Sequence, residues 1–391
     1  MNRISDFQLK NKKVLIRADL NVPIRSGIIS SENRIQASLP TILYAIQEGA
    51  KVMVTSHLGR PDEGHFSIEN SLEPVAKYLS KQLNQEVPLI KNWTSQAFNL
   101  NSGNLVVLEN CRFNVGENAN DSILSKRYAD LADIFVMDAF GTAHRKQSST
   151  YGVAEYCAKV CAGKLFLSEL DALNKIVLDP RLPMVAIVGG SKVSTKLKVL
   201  DALSDRVDEL VLGGGIVNTF LKAQGFNIGK SLYEEGFISS AESIIKKLEN
   251  RGVSLPNITD VVCGKKFDEN EPAVIKNINE LSPDDMIFDL GMTSMNAIVK
   301  KLDKAKTILW NGPIGVFEFK QFSKGTEMLA NTIAKSSAFS LAGGGDTIAA
   351  IETFGIEKDI SYISTAGGAF LEFFEGKKLP AIEILEKRAK K

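Results

Sequence analysis

The chain has little of what would tie it to a structural metal, a membrane or an oxidising compartment. Its 391 residues hold four cysteines and three histidines. Cys111, Cys157, Cys161 and Cys263 form no CxxC pair, and no histidine stands near Cys157 and Cys161. That spacing argues against a zinc site and fits a reduced, cytoplasmic setting. No apolar run reaches the roughly 18 residues of a membrane span. The opening Met1-Asn-Arg-Ile-Ser-Asp-Phe7 lacks the apolar core of a signal peptide. Net charge is missing too. Lys and Arg number 47 against 46 Asp and Glu, so the resulting +1 gives no global pull toward nucleic acid or anionic lipid. Any anion binding has to come from local clusters.

What remains is a globular composition, 44% hydrophobic and 24% charged, with a length that predicts two or three domains at roughly 100–200 residues each. The centre of the chain, Val185-Ala-Ile-Val-Gly-Gly-Ser-Lys-Val-Ser-Thr-Lys196, organises the rest. Its apolar start reads as a buried strand of a parallel sheet. Gly189 and Gly190 break that strand and admit a close backbone approach. Ser191 is expected to cap a helix beginning there, which would put Lys192 and Lys196 on one face of its first turns. Two ammonium groups beside a helix start make an anion site.

In the first half, strands repeatedly end in charged or polar groups. Lys13-Val-Leu-Ile-Arg runs on to Asp19, Asn21 and Pro23, and Arg34 opens an amphipathic helix that Gly49 ends. Lys51-Val-Met-Val-Thr-Ser leads into His57-Leu-Gly-Arg60-Pro61; Leu105-Val-Val-Leu leads to Arg112, and Ile134-Phe-Val-Met to His144-Arg145. In a parallel α/β sheet such ends converge on one edge. Arg34, His57, Arg60, Arg112 and Arg145 together predict a small, strongly anionic ligand bearing phosphate or carboxylate. Tyr151 to Lys175 reads as one connecting helix with Leu165, Leu167, Leu170 and Leu173 as its buried positions.

The second half repeats another pattern: strand, glycines, helix start, at 189, 213, 312, 343 and 367. Gly213-Gly214-Gly215 would let a flat nucleobase lie on bare backbone. Glu318, following Asn311-Gly312-Pro313, could accept ribose hydroxyls. Asp346 and Thr347 would stand at a helix N-terminus suited to phosphates and a hard cation. Two near-misses are set aside. Gln224 occupies the first glycine position of a Walker A loop ending in Lys230-Ser231, and that segment follows a helix. Gly213-x-Gly215-x-x-Asn218 lacks the third glycine of a dinucleotide fingerprint and its acidic partner. The turns describe a nucleotide pocket built without a P-loop.

With these residues in hand, the chain resembles the phosphoglycerate kinase family from Lys13 to Leu385. The motifs that carry the resemblance are RADLNVP, NRIQASLPTI, SHLGRP, LENCRF, DAFGTAHR, VAIVGGSKVSTK, GGGIVNTFLKAQG, ILWNGPIGVFE, AGGGDT and STAGGAFLEFFEGKKLP, in that order. The resemblance implies two Rossmann-like, three-layer α/β domains, each with a parallel sheet, joined by a helical hinge. It places a phosphoglycerate-binding domain at 1–165, with the tail 378–391 packing back on it, and a nucleotide-binding domain at 166–377. It implies reversible phosphoryl transfer between 1,3-bisphosphoglycerate and ADP, yielding 3-phosphoglycerate and MgATP, by a monomer that binds neither nucleic acid nor membrane.

Carried over residue by residue, Asp19, Asn21, Arg34, His57, Arg60, Arg112 and Arg145 are similar to the phosphoglycerate site, with Arg34 as the catalytic arginine. Lys192 and Lys196 match the lysines that reach the phosphates and the transferred group. Gly213, Gly214, Gly215, Gly291, Asn311, Gly312, Glu318, Gly344, Gly345, Asp346 and Thr347 match the nucleotide cleft, Asp346 lying near Mg2+. Two positions depart from the family pattern: Met292 replaces the usual proline after Gly291, and Ala366 stands where a third glycine is common. Two rival readings stay in view. A dinucleotide-dependent oxidoreductase would bind NAD; a non-catalytic nucleotide-binding module would have no use for the basic strand ends.

Overall fold

A computed structural model describes residues 1–389. The chain divides into two units, residues 1–171 with the returning tail from Lys378, and Ala172–Lys377. Of the tail expected to pack back, 390 and 391 lie outside the described residues.

The first unit is built on Lys13–Arg17 (β1), Ile24–Arg25 (β2), Ile28–Ile29 (β3), Lys51–Thr55 (β4), Leu89–Ile90 (β5), Leu105–Leu108 (β6), Ile134–Met137 (β7) and Lys159–Ala162 (β8). Its sheet runs β5-β6-β4-β1-β7-β8 with every pairing parallel, and β2 and β3 form a separate small hairpin. Helices cover both faces of such a sheet, so its strands are largely apolar and hidden: all of β6 and β7, and Val14 to Arg17 of β1, are buried. The chain leaves β1 toward β4 and later returns to its other side as β7. That reversal makes the carboxyl ends of β1, β4 and β7 the place where an open α/β sheet holds ligands.

The second unit repeats the logic with Met184–Val188 (β9), Glu209–Leu212 (β10), Asp260–Gly264 (β11), Val274–Asn277 (β12), Met286–Leu290 (β13), Thr307–Asn311 (β14), Phe339–Gly343 (β15) and Tyr362–Ser364 (β16). A parallel sheet has the order β10-β9-β14-β15-β16, and β12-β11-β13 form an antiparallel one. Here β9 is the reversal strand, and Gly189-Gly190 leave its end.

The returning tail is fixed within the first unit by its helix Pro380–Ala389. Ala381 N–H donates to Ala143 O at 3.0 Å, and Arg388 Nη2 donates to Cys157 O at 2.7 Å. Ala366 is fully buried and donates to Ser364 Oγ at 3.1 Å, while the left-handed residue of that turn is Gly367, at φ +52°. Met292 is the exposed first residue of the helix Met292–Leu302. That is the helix position where a proline's missing N–H matters least, so methionine there changes no backbone hydrogen bond.

The single helix expected from Tyr151 to Lys175 is not what forms. Ser148–Gly152 make a π-helical turn, Val153–Tyr156 a short helix, and β8 intervenes before the helix Lys164–Val177 begins. Strand β8 pairs along its whole length with β7, Ile134 to Met137 opposite Lys159 to Ala162. Four residues with helix-compatible spacing thus become an edge strand because the sheet offers an unpaired neighbour. Gly163 then has to be glycine: a Cβ there would lie 2.1 Å from Asp138 Oδ1.

Candidate active site

The basic residues of the first unit converge as the strand-end argument expects. Asp19 and Asn21 follow β1, and Arg34 lies in the first turn of the helix Asn33–Gln47. Arg34 Nη1 donates to Asp19 Oδ1 at 3.3 Å and to Asn21 O at 3.1 Å. Asn21 Oδ1 accepts from Gly59 N–H at 2.9 Å, which joins the loop after β1 to the loop after β4. Arg112 Nη1 donates to Gly59 O, whereas its buried Nε has no partner among the described residues. Arg145 Nε donates to His144 Nε2 at 3.3 Å, and Arg60 is exposed.

These cations shift one another. Burial, then Arg145, with smaller effects from Arg17 and Arg60, holds the Arg112 pKa down; burial, Arg17 and Arg60 do the same to Arg145. His57 is 95% hidden from solvent and its pKa is well below 6.5, first by burial and then by Arg17, Arg112, Arg145 and Arg34. It is therefore a neutral imidazole at neutral pH. So many like charges in one place repel unless an anion sits among them, and an unpaired guanidinium N–H is what such an anion would take up.

Arg17 is the residue that the sequence motifs do not single out. It lies in β1, fully buried, and donates through Nε to Ser149 Oγ at 2.9 Å, through Nη1 to Ala18 O at 2.6 Å, and through Nη2 to His57 Nδ1 at 3.3 Å. Ser149 Oγ in turn donates to the buried Glu117 carboxylate at 2.5 Å. Because Nδ1 accepts, the ring proton resides on Nε2. An arginine in an otherwise apolar, doubly covered strand was the available signal, since that residue type is almost never buried without a partner.

In the second unit the residues 189–196 do not form the expected helix start. The helix there is Leu197–Ser204, with Lys196 as its N-cap, so Lys192 and Lys196 do not share a helical face. Side chains take the backbone groups a helix would have used: Ser194 N–H and Oγ both donate to the Glu234 carboxylate, and Thr195 Oγ1 donates to Lys192 O at 2.9 Å. Gly190 adopts φ +138°, outside helical space. Lys192 is exposed. The Lys196 ammonium folds back instead, donating to Gly189 O and, at 3.0 Å, to Asn311 O. Burial lowers its pKa from 10.5 to about 8, against an opposing pull from Asp346.

The loops pack glycine against glycine. A Cβ on Gly189 would sit 1.8 Å from Pro313 O, and one on Gly215 2.2 Å from Ser191 O. Beside them opens a cleft of about 560 Å³ lined by Gly190, Ser191, Gly214, Gly215, Asn218, Leu232, Phe267, Met286, Ile287, Phe288, Pro313, Gly315, Val316, Glu318 and Asp346. Of the residues anticipated from sequence, Gly214, Gly215, Glu318 and Asp346 line it. Gly213, Asn311, Gly312, Gly344 and Thr347 serve as its frame: Asn311 Nδ2 donates to Gly343 O at 2.6 Å and Gly312 N–H to Thr347 Oγ1 at 2.7 Å. Gly345 is exposed at the helix start beside Asp346. Gly291 lies elsewhere, packed on Asp260, whose carboxylate caps the helix Met292–Leu302. The apolar walls Leu232, Phe267 and Phe288 lie outside the quoted motifs, and Val316 lies within ILWNGPIGVFE with no charge of its own to mark it. A flat apolar slot with two carboxylates at its rim suits a base, a ribose and a phosphate-bound cation.

The phosphoglycerate kinase family model matches residues 4–377. The structure of phosphoglycerate kinase from Coxiella burnetii is 52% identical, with a TM-score of 0.94 over 99% of each chain. That of phosphoglycerate kinase from Pyrococcus horikoshii OT3 is 33% identical, with a TM-score of 0.86 over 100% of each chain.

Proposed function

The chain belongs to the phosphoglycerate kinase family, and on that premise we infer that it transfers a phosphoryl group reversibly between 1,3-bisphosphoglycerate and ADP, giving 3-phosphoglycerate and ATP, a step of glycolysis. The observation that carries the assignment of parts is the basic cluster at the ends of β1, β4, β6 and β7, with Arg112 Nε unpaired inside it. The first unit takes the phosphoglycerate through Asp19, Asn21, Arg34, His57, Arg60, Arg112 and Arg145. The second takes the nucleotide in the cleft walled by Gly214, Gly215 and Val316, with Glu318 toward the ribose.

Phosphoryl transfer asks a protein for alignment, charge neutralisation and exclusion of water. Arg34 is the guanidinium offered to the equatorial oxygens of the moving group, held by Asp19 and the Asn21 carbonyl. In the second unit, Lys196 has an N–H left to offer the phosphates, and Lys192 is free to follow them. Hinge bending along the helix Lys164–Val177 would bring the two ligands into line. Asp346 fits Mg2+: the ion is commonly held by one or two carboxylates plus substrate phosphates, and no cluster of three His, Cys, Asp or Glu exists among the described residues to hold a metal alone. Bound with the nucleotide, Mg2+ would neutralise phosphate charge. No described helix is long and apolar enough to cross a membrane. A cytoplasmic monomer is the setting we propose.

The deciding assay is ATP consumption with Mg2+, with and without 3-phosphoglycerate, coupled to removal of the 1,3-bisphosphoglycerate formed. Consumption strictly dependent on 3-phosphoglycerate is expected; consumption independent of it would overturn the reading. Arg17→Met is expected to raise the His57 pKa, because Arg17 is the largest charge acting on it. It should also destabilise the fold by about 3 kcal/mol, because Ser149 and His57 lose a buried charged donor. Nuclear magnetic resonance titration of His57 checks the first effect, and an unmoved titration would rule out Arg17 as its positioning partner.

A further inference from the structure

Asp138 opens the DAFGTAHR segment, yet nothing above gives its side chain work. It is fully buried. Its backbone N–H donates to Arg17 O at 2.9 Å, at the end of β1, and its chain runs on through the turn Phe140–Thr142 to Arg145. Its side chain serves another element: Oδ1 accepts from Phe166 N–H at 3.1 Å, in the first turn of the helix Lys164–Val177. Gly163, which precedes that helix, has no side chain with which to cap it. The cap is therefore supplied by a carboxylate 28 positions earlier in sequence. Around it, Lys164 N–H donates to Thr41 Oγ1 at 2.9 Å, and the Phe140 and Phe166 rings lie 5.0 Å apart. Oδ2 of Asp138 has no hydrogen-bond partner among the described residues.

We propose that Asp138 is a positioning residue for phosphoryl transfer, tying the loop that carries Arg145 to the helix that leads into the nucleotide-binding unit; the proposal rests on the kinase reading. The charged form grips the helix, since an ionised acceptor strengthens a cap and a helix N-terminus favours a negative charge. Burial lifts the Asp138 pKa from 3.8 to about 7, with Thr41, Phe166 N–H and Leu165 N–H pulling the other way. Charged neighbours do not enter that balance. On β1, Arg17 is engaged by His57 and Ser149; on the connecting helix, the Lys164 ammonium lies over the Tyr44 ring at 4.3 Å and Glu169 is buried. On β8, Cys161 is a neutral thiol whose own pKa Asp138 helps to raise; on the helix Asn33–Gln47, Arg34 is held by Asp19. The grip should therefore tighten as pH rises through neutrality.

The test measures kcat with 3-phosphoglycerate and nucleotide Kd between pH 6 and 8 for the native enzyme, Asp138→Asn and Thr41→Val. Asp138→Asn keeps an acceptor oxygen but cannot ionise. The native kcat should rise about fivefold more across this range than that of Asp138→Asn, the upper worth of a negative charge at a helix N-terminus. Nucleotide Kd should be equal in the two at each pH. Thr41→Val, which removes a group favouring the charge, should move the midpoint upward. An unchanged pH profile in Asp138→Asn, or a nucleotide Kd that moves in step with kcat, would overturn the proposal. Should Asp138→Asn fail to fold, an unshifted midpoint in Thr41→Val overturns it alone. A native enzyme that consumes no ATP with 3-phosphoglycerate is a different failure, that of the kinase reading itself.

Discussion

Arg34→Ala is expected to cut turnover on the order of 10³-fold while leaving nucleotide affinity within about twofold, by comparison with charge-stabilising arginines in other phosphoryl transfers. The size of the effect follows from where the charge is used. A guanidinium aimed at oxygens that gain charge only at the moment of transfer lowers the barrier without tightening the ground state. Arg34 is well placed for a clean test, because it contributes little to the fold. Its side chain is 34% exposed, and its pair with Asp19 is a single contact at 3.3 Å. Partly exposed pairs of that kind are worth at most about 1 kcal/mol, far too little for the mutant to lose activity by unfolding. Arg34→Lys serves as the control: it keeps the charge but not the planar fork, and should recover only part of the loss. Steady-state kinetics with nucleotide titrations decide the matter. Turnover near native, with nucleotide affinity lost, would move Arg34 out of the reaction centre.

The basic residues of the first unit show which features a sequence exposes. A parallel sheet gathers its strand ends on one edge, so charges repeated after β1, β4, β6 and β7 are expected to meet there, and Arg34, Arg112 and Arg145 do all act on His57. Arg17 escaped because it is the last residue of β1 itself and reads as part of the strand, whereas the other basic groups follow their strands. Asp138 escaped for a different reason: its carboxylate meets the helix that begins at Lys164, a contact no local pattern encodes. The failed helix start at Ser191 has another cause. The hydrogen-bonding capacity that makes Ser191 a candidate cap lets Ser194 and Thr195 satisfy the backbone in a loop instead. Strand β8 shows a third limit, for Lys159–Ala162 become a strand only because β7 is beside them. At Gly189 the close backbone approach was legible, but its partner, Pro313, was not. Gly189 and Gly215 are required where loop meets loop, and the apolar walls beside them come from side chains distant in sequence.

Lys196→Ala is expected to lower turnover roughly 10²- to 10³-fold, the usual cost of removing one preorganised donor from a developing oxyanion. It should also erase a limb of the pH profile. The sign follows from the groups around the ammonium. Burial depresses its pKa to about 8 in the folded protein from an ordinary 10.5. In the free enzyme the charge needed to meet a phosphate is therefore present below about pH 8 and lost above it, so kcat/KM for nucleotide should fall as pH rises past 8. Bound phosphate favours the charged form, so the same limb in kcat should move to higher pH at saturating nucleotide. Stability should respond in the opposite sense. Between about pH 8 and 10.5 the unfolded chain binds the proton that the folded chain has released, so the native protein should gain stability with pH there, and Lys196→Ala should not. Asp346 sharpens the test, because its carboxylate opposes the depression. Asp346→Asn should move the kcat/KM limb to lower pH, whereas the loss of an unrelated carboxylate would leave it in place. A native profile flat from pH 7 to 9, or Lys196→Ala turnover within about threefold of native, would mean that the ammonium bridging Gly189 O and Asn311 O only braces the loops. The transferring phosphoryl would then have to find its second cation elsewhere, and Lys192, exposed and uncommitted to the frame, is the side chain to substitute next.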